Sequence, residues 1–138
     1  MSKVGELRIV LLFVLVVIAL TACAEPDDES TESIVGSWVW IESIGGFGGL
    51  VETPDSTGES HRVVFEANGE VTFYTNEDVF LSSTYSLGID KTIFAEEWLP
   101  VVYVEDSSFM YAYSFPNIGQ LELKENVSDG FAHLYDRE

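Results

Sequence analysis

The sequence predicts an all-β fold, a small antiparallel up-and-down barrel of about eight strands. Between Ile34 and Glu138, short runs rich in Val, Ile, Phe, Tyr and Thr are separated by turn residues. That region has no convincing stretch of the 3.6-residue periodicity that marks an amphipathic helix. Asn68-Gly69 lies between two of the runs, and this dipeptide is the strongest short-range signal for a β-hairpin. A closed barrel is favoured because closure removes the exposed strand edges that promote aggregation.

Nine runs are predicted as strands, and residues that favour turns separate them. The first strand ends at the glycine run Gly45–Gly49, and a long loop continues through Thr53–Gly58. The second and third strands flank the Asn68-Gly69 turn. In chain order the nine are residues 35–44, 60–66, 70–76, 79–87, 91–95, 101–105, 108–115, 120–124 and 131–137.

Alternating residues within these runs predict which side chains face the barrel interior, because successive side chains of a strand point to opposite faces. Four inward pairs are expected, namely Val63 with Phe65, Val71 with Phe73, Tyr85 with Leu87, and Leu121 with Leu123. Two longer stripes follow the same spacing, one of Phe109, Tyr111, Tyr113 and Phe115 and one of Phe131, His133, Tyr135 and Arg137.

The first 22 residues have the organisation of a secretory signal. Lys3 and Arg8 precede Ile9–Leu20, an apolar run shorter than the roughly 20 residues that a membrane-spanning helix needs. The run ends in Leu20-Thr21-Ala22-Cys23, which resembles the lipobox of bacterial lipoproteins. The resemblance implies cleavage before Cys23 and acylation of its sulfur and new amino group, so that two or more acyl chains anchor the protein in a lipid bilayer. An ordinary signal peptide that ends near a cysteine, or a short membrane anchor, is the alternative.

These observations predict three segments. Residues 1–22 form a lipoprotein signal-peptide helix, residues 23–33 the acylated cysteine with an acidic flexible linker, and residues 34–138 the barrel. Ala24 follows the cysteine, where enteric lipoproteins retained in the inner membrane have Asp. The resemblance therefore implies a lipid-anchored protein of the cell envelope, at the outer membrane of a Gram-negative bacterium.

The two ends of the barrel resemble lipocalins. Gly36-Ser37-Trp38 resembles the Gly-x-Trp signature of that family, and Arg137 is similar to the arginine that packs across this tryptophan. The segments Trp38–Gly46, Phe65–Gly69 and Asp129–Arg137 are similar to bacterial lipocalin-like lipoproteins. The resemblance implies that Gly36, Trp38 and Arg137 close the barrel and that its interior takes a small ligand. The domain is shorter than a secreted lipocalin and has neither the helix nor the cysteine pair of that family, which indicates a shallow or filled interior.

Composition excludes several kinds of partner and cofactor. Six Lys and Arg residues against 24 Asp and Glu give a net charge of −18, which disfavours nucleic acid because phosphate binding needs clustered cations. One cysteine and two histidines provide neither an intramolecular disulfide nor a thiolate or imidazole metal cage, so no metal and no cofactor are expected. Neither a Gly-x-Ser-x-Gly nor a His-Glu-x-x-His motif occurs, so no enzyme is predicted. His61 and His133 are predicted inside the barrel or at its rim, as hydrogen-bonded histidines or, less favourably, as a general base.

Aromatic residues on predicted inner faces are the candidates for ligand binding. They are Trp40, Tyr85, Phe109, Tyr111, Tyr113 and Tyr135, which line an apolar pocket or, in the alternative, fill the core. The Gly45–Gly49 run is interpreted as a lid over the barrel mouth or as a structural bend. The resulting hypothesis is a non-catalytic, envelope-anchored barrel that binds a small apolar or amphipathic molecule. The alternative is an interaction or scaffolding lipoprotein whose filled barrel contacts another envelope component. The sequence does not indicate an oligomeric state.

The anchor is tested by Cys23→Ser. Because Cys23 is the only thiol in the chain, the variant is expected to lack acyl chains and to stay uncleaved or be released as soluble protein. Detergent partitioning and mass spectrometry of the purified protein measure this. Identical partitioning of wild type and variant, with no acyl chains on Cys23, would contradict the lipoprotein hypothesis.

Overall fold

The structure, a computed structural model, describes residues 32–138. The predictions for the signal peptide, for Cys23 and for the linker up to residue 31 lie outside the described residues. Within them the predicted fold class is confirmed, because eight antiparallel strands form a closed barrel and one further strand is added at its edge. None of the helices in this range is long and apolar enough to cross a membrane.

The described residues form nine strands and one short helix. They are β1 (Gly36–Gly45), β2 (Leu50–Glu52), α1 (Pro54–Thr57), β3 (His61–Phe65), β4 (Glu70–Thr75), β5 (Asp78–Thr92), β6 (Ala95–Val104), β7 (Met110–Ser114), β8 (Gln120–Glu125) and β9 (Phe131–Arg137). From β3 to β9 each strand pairs with the next, β3 also pairs with β1, and β9 closes the barrel by pairing with β1. β2 extends the sheet beside the far end of β1.

The Asn68-Gly69 hairpin is confirmed, but its turn is not of the predicted kind. A type I′ turn needs positive φ at both central residues. Here Gly69 has φ 90°, whereas Asn68 is not among the described residues with positive φ. Glu66 closes the turn, because its carbonyl accepts the Gly69 N–H and its N–H donates to the Glu70 carbonyl. The turn therefore spans four residues, and only the glycine has to adopt the left-handed conformation.

The largest departure from the sequence prediction is in β5 and β6. The predicted strand 79–87 and the first two residues of the predicted strand 91–95 belong to one strand, β5, which continues through residues 88–90. Residues 93–94 form the turn after it, and β6 starts at Ala95, six residues before the predicted strand 101–105. Gly88 does not end β5. It lies opposite Val101, where a Cβ would approach the Tyr103 ring to 3.1 Å. β2 and α1 were not predicted.

Beyond Tyr85 the β5–β6 hairpin leaves the barrel wall and forms an arm, residues 86–100. Val101, Ala112 and Lys124 lie side by side on the outer face of β6, β7 and β8, because Val102 and Leu123 face the core. Yet Val101 is fully buried and Ala112 is only 8 % exposed. The tip of the arm covers this outer face, with the Phe94 ring 4.0 Å from the Lys124 ammonium and the Ile93 N–H donating to Asn126 at 2.7 Å.

Inward faces were predicted correctly for most strands. The pairs on β3, β4 and β8 lie in or against the core, as do Tyr85, Tyr111, Tyr113 and Phe115. The prediction that Leu87 faces inward is wrong. This residue is 49 % exposed because it lies on the arm, outside the barrel wall. Phe109 is also wrong as an inward residue, because it lies before β7 in a loop and is 42 % exposed.

The first and last strands meet at Trp38 and Arg137. These residues are paired in register, and the Arg137 guanidinium carbon lies 4.2 Å from the centroid of the fully buried Trp38 ring. The Trp38 indole donates to the Ile34 carbonyl at 2.7 Å, and the Arg137 guanidinium donates to the carbonyls of Ser33 and Val35. At Gly36, with φ 143°, a Cβ would come within 2.7 Å of the guanidinium. The glycine therefore makes room for the arginine that covers this end of the barrel.

Trp38→Ala is expected to lower the free energy of unfolding by about 3–5 kcal/mol, because it removes a buried ring and leaves a cavity under Arg137. Trp98→Ala is the matched control, since Trp98 is exposed on the arm and its loss should cost less than about 1 kcal/mol. Urea denaturation followed by far-UV circular dichroism measures both values. Equal losses for the two variants would contradict the assignment of Trp38 to barrel closure.

Candidate functional site

The barrel interior is filled at one end and hollow at the other. At the end where β1 begins, aromatic rings pack against one another, with centroids 5.0 Å apart for Phe65 and Tyr85 and 6.1 Å apart for Trp38 and Phe115. At the opposite end, where β1 finishes and β9 begins, the interior opens into a cavity of about 480 Å³. This size lies within the usual range of small-molecule sites.

The wall of this cavity is divided between apolar and ionisable side chains. Large apolar and aromatic residues form its inner part, namely Trp40, Phe73, Tyr111, Leu123 and Tyr135. Ionisable residues line it as well, namely Glu52, Glu59, His61, Arg62 and His133. Trp40 and Tyr135 are almost wholly buried, whereas Glu59 is exposed. The cavity thus runs from an apolar interior to a polar opening.

A bulge in β1 directs Ser43 into the cavity. In a regular strand Trp40 and Ser43 would point to opposite faces, because they are three residues apart. The register between β1 and β9 shifts by one residue at Ile41, so that Trp40 lies opposite Tyr135 and Ser43 opposite His133. All four side chains then line the cavity. Bulges that redirect a side chain in this way are frequent beside functional sites.

A directional chain of hydrogen bonds crosses the cavity wall. The Trp40 indole donates to the Ser43 hydroxyl at 2.8 Å, and Ser43 Oγ lies 2.7 Å from His133 Nδ1. His133 Nε2 lies 3.2 Å from Glu125 Oε1, and the other oxygen of Glu125 accepts the Phe131 N–H at 2.9 Å. An ionised carboxylate only accepts, so Nε2 carries a proton towards Glu125, and in the neutral tautomer of that kind Nδ1 accepts from Ser43. The chain fixes the orientation of the imidazole at the cavity wall.

Two phenol groups of the inner wall are left for a ligand. The hydroxyls of Tyr85 and Tyr103 donate to Glu66 and Asp90, whereas no residue of the described range bonds the hydroxyl of Tyr111 or Tyr135. Burial raises the pKa of Tyr111 to about 12, and the nearby negative charge of Glu125 adds to the effect. Burial also raises the pKa of Tyr135, with smaller contributions from Tyr111 and Glu125. Both phenols therefore stay protonated at neutral pH.

The opening is shaped by His61 and Arg62 of β3. The His61 ring meets the Trp40 ring edge-on at 4.7 Å, and its nitrogens lie 3.1 Å from the Thr75 hydroxyl and 3.5 Å from the Glu59 carboxylate. The Arg62 guanidinium stacks on the Tyr74 ring at 4.1 Å and pairs with Glu77 at 3.2 Å.

The structure places only some of the predicted ligand-binding candidates at the cavity. Trp40, Tyr111 and Tyr135 line it, whereas Tyr85 and Tyr113 pack against the core elsewhere. Phe109 lines a second hollow of about 330 Å³ beside Phe80 and Tyr111. None of Gly45–Gly49, the predicted lid, lines the main cavity.

Sequence reasoning missed Ser43 and Glu125. The parity of β1 places Ser43 outside the barrel unless the bulge is known, and no local pattern marks Ile41 as the inserted residue. Glu125 shares the inward spacing of Leu121 and Leu123, which was a usable signal. The signal was not used because the chain has 24 Asp and Glu residues, and nothing else distinguished Glu125 from them.

Comparison of the sequence with protein-family models, with curated proteins and with solved structures returned no match. Within residues 32–138 no group of three or more His, Cys, Asp and Glu side chains is placed to hold a metal ion. The function is therefore inferred from the geometry and lining of the cavity.

The buried phenol of Tyr111 predicts a loss of stability in alkali. Its pKa is about 12 in the folded protein and close to the ordinary value of 10.0 in the unfolded chain. Below pH 10 the phenol is protonated in both states and does not reduce the free energy of unfolding. As the pH rises from 10 towards 12, the free energy of unfolding declines by up to about 2 kcal/mol, because Tyr111 ionises only in the unfolded chain there. Urea denaturation at a series of pH values is expected to show this decline and a shallower one for Tyr111→Phe. Equal slopes for the two proteins would contradict the assignment.

Proposed function

We propose that this protein is a lipid-anchored binding protein of the cell envelope whose barrel holds a small amphipathic molecule in the cavity between β1, β3, β4, β7, β8 and β9. The observation that carries the proposal is the division of the barrel interior. Aromatic rings fill one end, whereas the other end keeps a cavity of about 480 Å³ open. An interior needed only for stability would be expected to pack its volume more fully, since protein cores contain few voids larger than a water molecule.

The lining favours an amphipathic ligand over a wholly apolar one. An apolar portion would contact Trp40, Phe73 and Leu123, and removal of its surface from water would supply most of the affinity. A polar portion would meet the hydroxyls of Tyr111 and Tyr135, or the histidines and carboxylates nearer the opening. A wholly apolar ligand would leave these polar groups without partners, which costs free energy.

The proposed protein is non-catalytic. Ser43, His133 and Glu125 are linked in the order of a nucleophile, a base and an acid, but Ser43 is only 3 % exposed and its oxygen already accepts the Trp40 indole N–H. We assign this chain of groups to holding the wall and orienting His133. In the same proposal the acyl chains on Cys23 hold the barrel at the membrane, within reach of amphipathic molecules of the envelope.

A second candidate function, interaction with another envelope component, is favoured by the arm. Leu87, Ile89, Ile93 and Trp98 of residues 86–100 are all exposed, although they are large and apolar. Exposed apolar side chains grouped on one element mark interaction surfaces in many proteins. This candidate and ligand binding use different parts of the molecule, because the arm leaves the barrel wall and the cavity lies inside the barrel.

Ligand binding is tested with N-phenyl-1-naphthylamine, a neutral apolar dye that brightens in a dry environment. We expect saturable binding by the wild type. Thr75→Trp should weaken it by about tenfold or more, because the indole would occupy the opening beside His61. Thr72→Trp is the matched control, since Thr72 lies on the same strand with its side chain on the outer face. Equal loss in both variants would overturn the assignment of binding to this cavity, and absence of saturable binding by the wild type, both of the dye and of amphipathic alkyl probes, would overturn the proposal.

A further inference from the structure

The charge around the cavity is predominantly negative. Glu52 and Glu59 line it, and Glu125 lies directly behind His133 at 3.2 Å. Arg62 is the one Lys or Arg that lines the cavity among residues 32–138, and the Glu77 carboxylate at 3.2 Å already neutralises it. An anionic group entering the cavity would therefore find no uncompensated Lys or Arg there.

The other basic side chains of the described range are engaged elsewhere. Arg137 covers Trp38 at the filled end of the barrel, Lys124 lies under Phe94 of the arm, and Lys91 lies 5.7 Å from the Trp98 ring. The chain as a whole carries a net charge of −18. Its long-range field therefore attracts cations and repels anions, as does the local charge at the cavity.

The inner wall is suited to a positive charge for a separate reason. Trp40, Phe73, Tyr111 and Tyr135 surround the cavity with aromatic rings, and the faces of such rings attract ammonium groups electrostatically. Tyr135 is 7 % exposed and lines the cavity, yet no described residue bonds its hydroxyl oxygen, which is able to accept from an ammonium N–H. The negative charge of Glu125 reaches both phenols, since it opposes their ionisation. The same charge would stabilise an ammonium group placed beside them.

We propose that the cavity selects organic cations, namely amines or quaternary ammonium groups that carry an apolar body, over carboxylates of the same size. This inference rests on the proposed function, since it names the class of ligand for the same cavity. The apolar body lies against Phe73 and Leu123, and the cationic group lies among the rings of Trp40, Tyr111 and Tyr135, within the field of Glu125.

The test compares three probes with eight-carbon chains, the carboxyl carbon being the eighth in octanoate. They are octyltrimethylammonium, octanoate and the neutral octyl glucoside, and binding is measured by isothermal titration calorimetry. All three are used below their critical micelle concentrations, at low ionic strength and at one fixed pH. We expect octyltrimethylammonium to bind about tenfold or more tightly than octanoate, with octyl glucoside between them. Added salt should weaken the binding of the ammonium probe and leave that of the neutral probe nearly unchanged.

Two variants separate the local charge of the cavity from the charge of the whole protein. Glu125→Gln keeps an amide oxygen for the Phe131 N–H but removes the charge behind the cavity. It should lower the affinity for the ammonium probe several-fold. Glu122→Gln removes one equal charge from the same strand, on the outer face, because Leu121 and Leu123 point inward. It should change the affinity by less than about twofold.

The possible outcomes distinguish the inference from the proposed function. If octanoate binds as tightly as octyltrimethylammonium, or if both variants weaken the ammonium probe equally, cation selection by the cavity is overturned and ligand binding stands. If neither the three probes nor the neutral dye bind to the wild type, the proposed function itself fails. Comparison of the three probes on the wild type alone already decides the first point, so the test does not depend on the folding of Glu125→Gln.

Discussion

The pairing of β1 with β9 is the contact on which the rest of the molecule depends. It joins the first strand of the barrel to the last, and seven residue pairs span it. At one end of this seam Trp38 and Arg137 cover the filled half of the barrel. At the other end Trp40 and Ser43 from β1 meet Tyr135 and His133 from β9 and form much of the cavity wall. Closure is needed for both the core and the site, because each combines residues of the first strand with residues of the last.

The bulge at Ile41 links the two halves of the seam. Before it, Trp38 and Trp40 point inward with the regular alternation of a strand, and after it Ser43 does so. Without the bulge the next inward position would be Glu42, and with it the small hydroxyl of Ser43 faces the interior instead. The hollow end results from this exchange together with the choice of His61, Thr75 and His133 at neighbouring inward positions. Large aromatic residues at the corresponding positions of the other end fill it instead.

The sequence was sufficient to predict the fold class, most strands and the inward faces, because alternation and turn residues are local signals. It was not sufficient at Gly88, where a residue typical of turns lies inside a long strand against the Tyr103 ring. The arm that follows depends on contacts with Lys124 and Asn126, which lie 30 and 33 positions from their partners Phe94 and Ile93, and no local pattern predicts such contacts. The site was predicted only in part, because some of its residues depend on contacts that no local pattern reports. Trp40, Tyr111 and Tyr135 follow from alternation, whereas Ser43 needs the bulge, and Tyr85 and Tyr113 are assigned to the filled end only by the shape of the barrel.

Glu125 shows why the structure and the electrostatics of the cavity are inseparable. One of its oxygens accepts the Phe131 N–H at the start of β9, and the other faces His133 and thereby fixes the proton on Nε2. A neutral glutamine would offer one acceptor oxygen, so only the ionised carboxylate accepts both hydrogen bonds in these directions. The carboxylate adds a negative potential that extends to the hydroxyls of Tyr111 and Tyr135. Because a half-buried charge is costly unless it is compensated, a cationic ligand beside Glu125 would offset part of that cost. Part of the free energy of binding would then come from compensating the half-buried charge of Glu125. This is the physical reason to expect the sign of the ligand charge to matter.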